Sequence, residues 1–384
     1  METLMQALLR QENVVFLEYC IKRVWMAAGA SDIHAHYVSD AIGFAHKQGK
    51  LNQGLGVYEA IDIALNMGLL DIKAEPEVIA DGPTWATVSG NGSSGYWCLN
   101  IMADIAIEKA RTHGIAIVFG GNHNDAGSFA RYVYKAFEQD MMAFSSNNTV
   151  PLAAPFGGLI NKLSAAPFDA IAPAGDRNPV WASVALAELY DADISEASIH
   201  NKKLKGKWLI DPESGDLTDD VTPYAKPIEG YGRVWDCSAA SQIEHPRTYA
   251  LNMWNEAMTS IINPLGVPST SLPTVEEVIS GTREDKSATV GGSYYLCINP
   301  AVFGSIDDVK ARSDAYISAI ESCPPRPGHT VRVPGSEGYK KIVEKKQIVD
   351  VLTNHWDPFF INIAGRYNLS EKILREEFDA LSEQ

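Results

Sequence analysis

Apolar positions recur every three or four residues across 14–29 and again across 31–49, the spacing that gives a helix one buried stripe. Ser31-Asp-Ile opens the second stretch with a side-chain oxygen placed to cap free backbone N–H groups. A third helix is expected over 56–67, ended by Gly68. The period then changes from helical to alternating, and 77–90 reads as two strands around Asp81-Gly-Pro. An alanine-rich helix over 96–113, a strand over 115–119, a helix over 128–139 and a strand over 142–146 follow, a rhythm that predicts an α/β sheet. Residues 151–179, rich in Gly, Ala and Pro, read as loop. A helix over 181–189, turns at Asp211-Pro and Ser214-Gly-Asp, and a helix over 247–262 come next. Beyond a polar loop at 281–286 the pattern predicts a strand over 293–299, a helix over 305–321 and two final helices. No fixed-period repeat interrupts this order.

With 384 residues and 46% hydrophobic content, the chain can build two ordinary domains or one elaborate α/β domain with a helical annex. Its net charge of −16 repels a phosphate backbone or an anionic membrane on average, which points to a small-molecule substrate rather than nucleic acid or membrane. Five cysteines without a CxxC pair or metal-ligand spacing give neither a disulfide framework nor a metal site. No leader-like N-terminus and no 18-residue apolar run is present, so a cytoplasmic protein is expected.

The stretch Gly114-Ile-Ala-Ile-Val-Phe-Gly-Gly-Asn-His123 ends a strand in glycines and then offers an imidazole. Strand ends of open α/β sheets hold sites, and imidazole is the usual proton-transfer group near neutral pH. A helix-capping or surface histidine is the alternative. Gly90-Asn-Gly92-Ser-Ser-Gly95 matches the dinucleotide fingerprint GxGxxG, but the next strand ends in Gly120-Gly121-Asn122 without the acidic residue that holds the ribose; a turn capping a helix fits better. Arg247 could anchor a phosphate or simply sit solvated at a helix end. Asp125 could orient His123 or cap the next helix. Asp219-Asp220 reads as a solvated turn, and no Ser-His-Asp set, Walker loop or HExxH helix occurs.

Taken in order, 39–70, 92–114, 118–123, Pro151-Leu-Ala-Ala-Pro-Phe-Gly-Gly158, 206–215 and 294–303 with Pro334-Gly335 resemble the malate/L-lactate dehydrogenase-like family of NAD(P)-dependent oxidoreductases. The resemblance implies an α/β fold that is not a Rossmann fold, with a helical N-terminal segment and a C-terminal segment that returns to it. It also implies a substrate and dimerisation region over 1–114 with 291–384 packed back on it, a cofactor-binding-like region over 115–290, and a homodimer. NAD or NADP is the implied cofactor, with Ser145, Asn147, Ser183, Arg247 and Gly335 near it, and no metal. Where the family has Ser-His-Gly-x-x-Arg, this chain has Asn52-Gln53-Gly54-Leu-Gly-Val57. An amide that cannot titrate replaces the acid/base histidine, and valine replaces the carboxylate-binding arginine. His123 matches a second family histidine, with Asp125 in place of the following glycine.

Two functions are consistent with these departures. In the first, the protein is an NAD(P)H-dependent reductase or dehydrogenase acting on an unusual carbonyl or imine, with His123 as acid/base and Gln53 and Asn52 as neutral donors to the substrate. An iminium already carries its proton and so demands less of an acid. In the second, the scaffold serves a lyase, isomerase or condensation step, or binds without turnover.

Overall fold

The computed structural model describes residues 9–232, 239–280, 289–344 and 347–382. Strand β1 (Leu9–Asn13) leads into helices α1 (Val14–Ala27), α2 (Asp32–Lys47) and α3 (Leu55–Asn66). Asn13 caps α1 by accepting from the Val15 N–H at 2.8 Å, and Ser31 caps α2, as its place in the sequence predicts. Strands β2 (Glu77–Asp81) and β3 (Trp85–Ser89) form the expected hairpin, followed by α4 (Gly95–His113), β4 (Ile115–Gly121), α5 (Ala130–Phe137) and β5 (Met142–Thr149). Then come β6 (Pro167–Ala172), β7 (Val180–Ala185), α6 (Asp191–Ile199), the short pair β8 (Leu209–Ile210) and β9 (Leu217–Thr218), α7 (Pro246–Glu256) and α8 (Val275–Ser280). The chain closes with β10 (Val290–Ile298), α9 (Ile306–Glu321), α10 (Ser336–Val343), β11 (Ile348–Leu352), α11 (Thr353–Pro358) and α12 (Glu371–Ser382).

Seven strands make one sheet in the order β2-β3-β4-β10-β5-β6-β7. Only β3 and β4 run parallel; every other neighbouring pair is antiparallel. The fold is therefore mixed α/β and lacks the parallel sheet that a dinucleotide fingerprint would need. Helices α4 and α5 cover one face through Cys98, Met102, Ala106, Phe129, Tyr132 and Val133, which meet Val118, Ala143, Tyr295 and Cys297 in a closed core. On the other face α7 and the π-turn Ala257–Ile261 approach β10 so closely that a Cβ on Gly292 would lie 2.2 Å from the Thr259 carbonyl oxygen. A second core joins the chain ends: α1, α2 and α3 bury Phe16, Leu17, Trp25, Ile42 and Tyr58 against Val351, Trp356, Phe359 and Leu374. Strand β1 pairs with β11 over Leu9↔Leu352 to Asn13↔Ile348.

Two expectations are corrected. Residues 181–189, read as a helix, begin as strand: Val180–Ala185 pairs along β6, and Trp181 turns inward, stacking on Tyr134 at 5.7 Å between centroids. Apolar residues at mixed spacing left the period ambiguous, and pairing decided it. Within the stretch read as loop, Pro167 opens β6 at the first strand position, where a missing N–H is tolerated. Both expected regions, 1–114 with 291–384 and 115–290, contribute strands to this one sheet, since β2, β3 and β10 share it with β4 to β7. The polar loop at 281–286 and Cys237 lie outside the described residues.

Candidate functional site

A cavity of about 750 Å³ opens where the helical core meets the ends of β5, β6 and β7. That volume lies in the range of small-molecule sites. One wall is the Gly49–Gly56 turn and the first part of α3; others come from Asn147, Asp169 and Ser183, from α6, and from Asn354 and His355 of α11. Apolar side chains such as Val57, Ile63, Leu69 and Leu152 line much of it, with polar groups set among them.

Of the sequence-predicted residues, Asn52, Gln53, Asn147 and Ser183 meet in this cavity. Asn52 donates through Nδ2 to Glu196 Oε2 at 3.3 Å. Gln53 Oε1 and Asn147 Oδ1 are buried without a protein partner. Ser145 belongs to the same cross-strand row, since Ser145 faces Asp169 and Asp169 faces Ser183, but its hydroxyl is fully buried and donates to the Tyr294 carbonyl at 2.9 Å.

His123, Arg247 and Gly335 lie outside the lining. His123 is wholly buried, its Nδ1 2.8 Å from the Asn124 carbonyl and its Nε2 2.9 Å from Ser293 Oγ. Burial pushes its pKa down to about 4, so near neutral pH it is an uncharged tie between the β4 end and β10. The sequence places an imidazole correctly at a strand end; it does not show which way the ring turns. Arg247 is exposed at the start of α7, where its N–H is held by His245 Nδ1. Gly335 caps α10 at φ +79, and a Cβ there would come 2.7 Å from that of Trp181, a close approach that suits glycine.

The geometry also assembles groups that the sequence pattern did not single out. Lys50 Nζ donates to Ser183 Oγ at 2.5 Å, and Ser183 is in turn hydrogen-bonded to the buried Asp169. Burial raises the Asp169 pKa, against the lowering effects of the Lys50 charge and of bonds from Ser183 and from Trp181 Nε1 at 3.3 Å. Across the cavity, His355 Nδ1 lies 3.0 Å from Glu59 Oε1. Lys50 stands two residues before Asn52, but no periodicity distinguishes it from a solvated lysine. Glu59 and His355 are 296 positions apart, and only the return of the C-terminal segment joins them.

Charged lining side chains comprise Lys50 against Asp125, Asp169, Asp193 and Glu196. The cavity can thus receive a cation near its carboxylates and an anion at Lys50. Among the described residues no cluster of three or more His, Cys, Asp or Glu side chains forms a metal site.

A sequence profile described as malate/L-lactate dehydrogenase matches residues 15–357. The L-sulfolactate dehydrogenase of Methanocaldococcus jannaschii is 24% identical over 326 residues, covering 85% of this chain and 88% of that protein. The solved structure of the sulfolactate dehydrogenase from the same organism superposes with a TM-score of 0.79 at 21% identity, over 94% of this chain and 98% of that one. The Δ1-piperideine-2-carboxylate reductase of Pseudomonas syringae pathovar tomato gives a TM-score of 0.74 at 19% identity, covering 88% of this chain and 94% of that one.

Proposed function

Because the chain belongs to the malate/L-lactate dehydrogenase family, and is by that membership an oxidoreductase, we propose that it is an NAD(P)H-dependent reductase whose substrate is a small imine bearing an anionic group. The observation that carries this reading is the charge layout of the cavity, one fixed ammonium at Lys50 facing several carboxylates. An imine in its protonated form is a cation, and an attached carboxylate supplies the matching anion. Val57 lines the same cavity and offers no charge, so Lys50 takes the anion from a different position than a clamp at 57 would. A charge-assisted bond of this kind contributes about 1.5–3 kcal/mol.

The nicotinamide cofactor, when bound, supplies the reducing equivalent. The residues present suit it: Gln53 Oε1 and Asn147 Oδ1 are buried acceptors without donors, and a carboxamide NH₂ offers donors to both. Asn255 Nδ2 donates to the Asn147 carbonyl at 3.0 Å and holds that strand end in place. Ser145 supports the site from beneath through its bond to β10, and His123 ties the sheet together without taking a proton.

The test is titration of the purified protein with NADH and with NADPH by calorimetry and tryptophan quenching, followed by a panel of cyclic imino acids and straight-chain 2-oxo acids. Saturable binding of one nucleotide per chain, with Kd near the micromolar level (about −8 kcal/mol), and faster reduction of imino acids than of 2-oxo acids are expected. Failure of both nucleotides to bind would favour the non-redox use of the scaffold. We further propose a homodimer, supported by the exposed apolar stripe Leu251, Trp254, Ile261 and Ile262 on α7 and its π-turn.

A further inference from the structure

The family's acid/base position is Gln53 in this chain, and His123 is sealed in the sheet, yet reduction of C=N or C=O still moves one proton. We propose that Glu59 and His355 form a relocated acid/base pair, with His355 delivering the proton and Glu59 holding the ring. This inference rests on the reductase reading above.

Four observations converge. His355 lines the cavity together with Gln53 and Gly56, so the ring borders the space where the substrate binds. Its Nδ1 meets Glu59 Oε1 at 3.0 Å, which fixes the ring orientation and leaves Nε2 as the nitrogen for exchange. The pair is deep, with side-chain exposures of 8% for His355 and 1% for Glu59, so water is held off while the cavity stays within reach. Glu59 is itself positioned: its Oε1 accepts from the Gly232 N–H at 3.2 Å, and Asn354 Nδ2 donates to the Gly232 carbonyl at 3.0 Å.

Gly56 makes room for the imidazole. A Cβ at position 56 would stand 3.1 Å from His355 Nε2, tighter than ordinary contact. Two other histidines lie close by: His200, which follows α6, lines the same cavity, and His46 is not available for the same task. Its Nδ1 lies 3.0 Å from the Asp350 carbonyl, its Nε2 accepts from the Leu55 N–H at 3.2 Å, and burial pushes its pKa down to about 4. A carboxylate-anchored imidazole facing a cavity is an arrangement suited to general acid/base work, whereas a histidine with both nitrogens consumed is not.

In the reducing direction the C=N π bond breaks. Before it does, the neutral imine nitrogen takes a proton from His355 Nε2, giving the iminium and leaving a neutral imidazole beside Glu59; carbon then takes the hydrogen and two electrons that a bound reduced nicotinamide would supply, and the π pair stays on nitrogen as the amine lone pair. The nucleotide leaves oxidised. In the oxidising direction the neutral ring accepts the same proton.

The experiment has two arms on the full-length protein. In the first, the nucleotide-free protein is treated with diethyl pyrocarbonate and the modified histidines are mapped by mass spectrometry. His355 is expected to react and to be protected by bound NADPH plus a cyclic imino acid, while His123 and His46 stay unmodified in both. A native protein in which His355 resists the reagent overturns the pair. In the second arm, His355→Asn, Glu59→Gln and His355→Ala are compared with wild type for nucleotide binding, KM and kcat on the imino acid turned over best. His355→Asn is expected to lower kcat at least 100-fold, Glu59→Gln about 10-fold, with nucleotide Kd and KM within threefold of wild type. Added imidazole is expected to restore part of the kcat of His355→Ala, which loss of a merely structural contact would not allow. Turnover of His355→Asn within threefold of wild type overturns the proposal while leaving the reductase reading standing. Failure of the wild-type protein to bind either nucleotide overturns the reductase reading instead.

Discussion

At the residue scale, the informative contrast is among histidines. The sequence gives no sign that His34, His46 and His123 differ from His355, because burial and hydrogen-bond partners are set by distant segments. Burial holds all three at about 4, below the ordinary 6.5, so the unfolded chain binds protons that the folded chain refuses. Their contribution to stability is therefore complete above about pH 6.5 and is lost as pH falls toward 4. Urea unfolding of wild type and His123→Gln at pH 7, 6 and 5 checks the sign: the variant, which lacks one titrating ring, is expected to lose less stability over that interval than wild type. Glu18, Asp62 and Asp169, whose pKa values burial raises, act in the opposite sense and are common to both proteins, so they cancel in the comparison. A steeper loss in the variant would contradict a neutral His123. Lys50 supplies a second residue-scale expectation. Lys50→Met is expected to raise KM for an anionic imine by about 10- to 100-fold, the equivalent of about 1.5–3 kcal/mol, with nucleotide binding unchanged. An unaltered KM would remove Lys50 from substrate recognition.

Elements were legible where one local rule governed them. Ser31 sits at a true helix cap, Gly68 stands just beyond a helix end at positive φ, and Asp81-Gly-Pro turns a hairpin, all as the sequence predicts; Asn13 and Gly114 play the same parts for two further helices. The helix expected over 247–262 is present as α7 continued by the π-turn Ala257–Ile261. What was lost was the strand character of 167–172, read as loop, and of 181–185, read as helix, where alanine and proline dilute the period and long-range pairing decides. Nor does spacing reveal Asn263, which follows the π-turn and donates through Nδ2 to Gly120 O at 2.8 Å and Thr259 O at 2.9 Å. This buried amide joins a helix end to a strand of the sheet. Asn263→Ala is expected to cost about 1–3 kcal/mol, the range for leaving a buried polar group unpaired. Chemical denaturation measures it; a change below 0.5 kcal/mol, on the order of a surface substitution, would show that the contact is dispensable.

At the scale of the whole molecule, the site exists because the two ends of the chain meet. Strand β1 pairs with β11, Arg10 and Arg375 bridge Glu12 and Glu371, and α11 carries His355 to Glu59 on α3. Periodicity identifies each partner as an element but does not say that they touch, so half of the candidate site was invisible until the fold closed. The same closure leaves α7 on the outside with Leu251, Trp254, Ile261 and Ile262 each more than half exposed. Leu251, Trp254 and Ile261 are three and seven positions apart, about one and two helical turns, which sets them near one face, and an exposed apolar face on a chain this acidic is more costly in water than against a copy of itself. Charge repulsion between two chains of net −16 opposes association, so an uncharged contact is the surface on which a pair can form. Trp254→Glu places a carboxylate in the middle of that face while touching neither cavity nor core. Light scattering coupled to size exclusion is expected to give twice the chain mass for wild type and a shift toward the single-chain mass for the variant, with nucleotide binding retained by whichever species forms. A variant that keeps the wild-type mass would place the dimer contact elsewhere, and a wild type of single-chain mass would exclude the dimer.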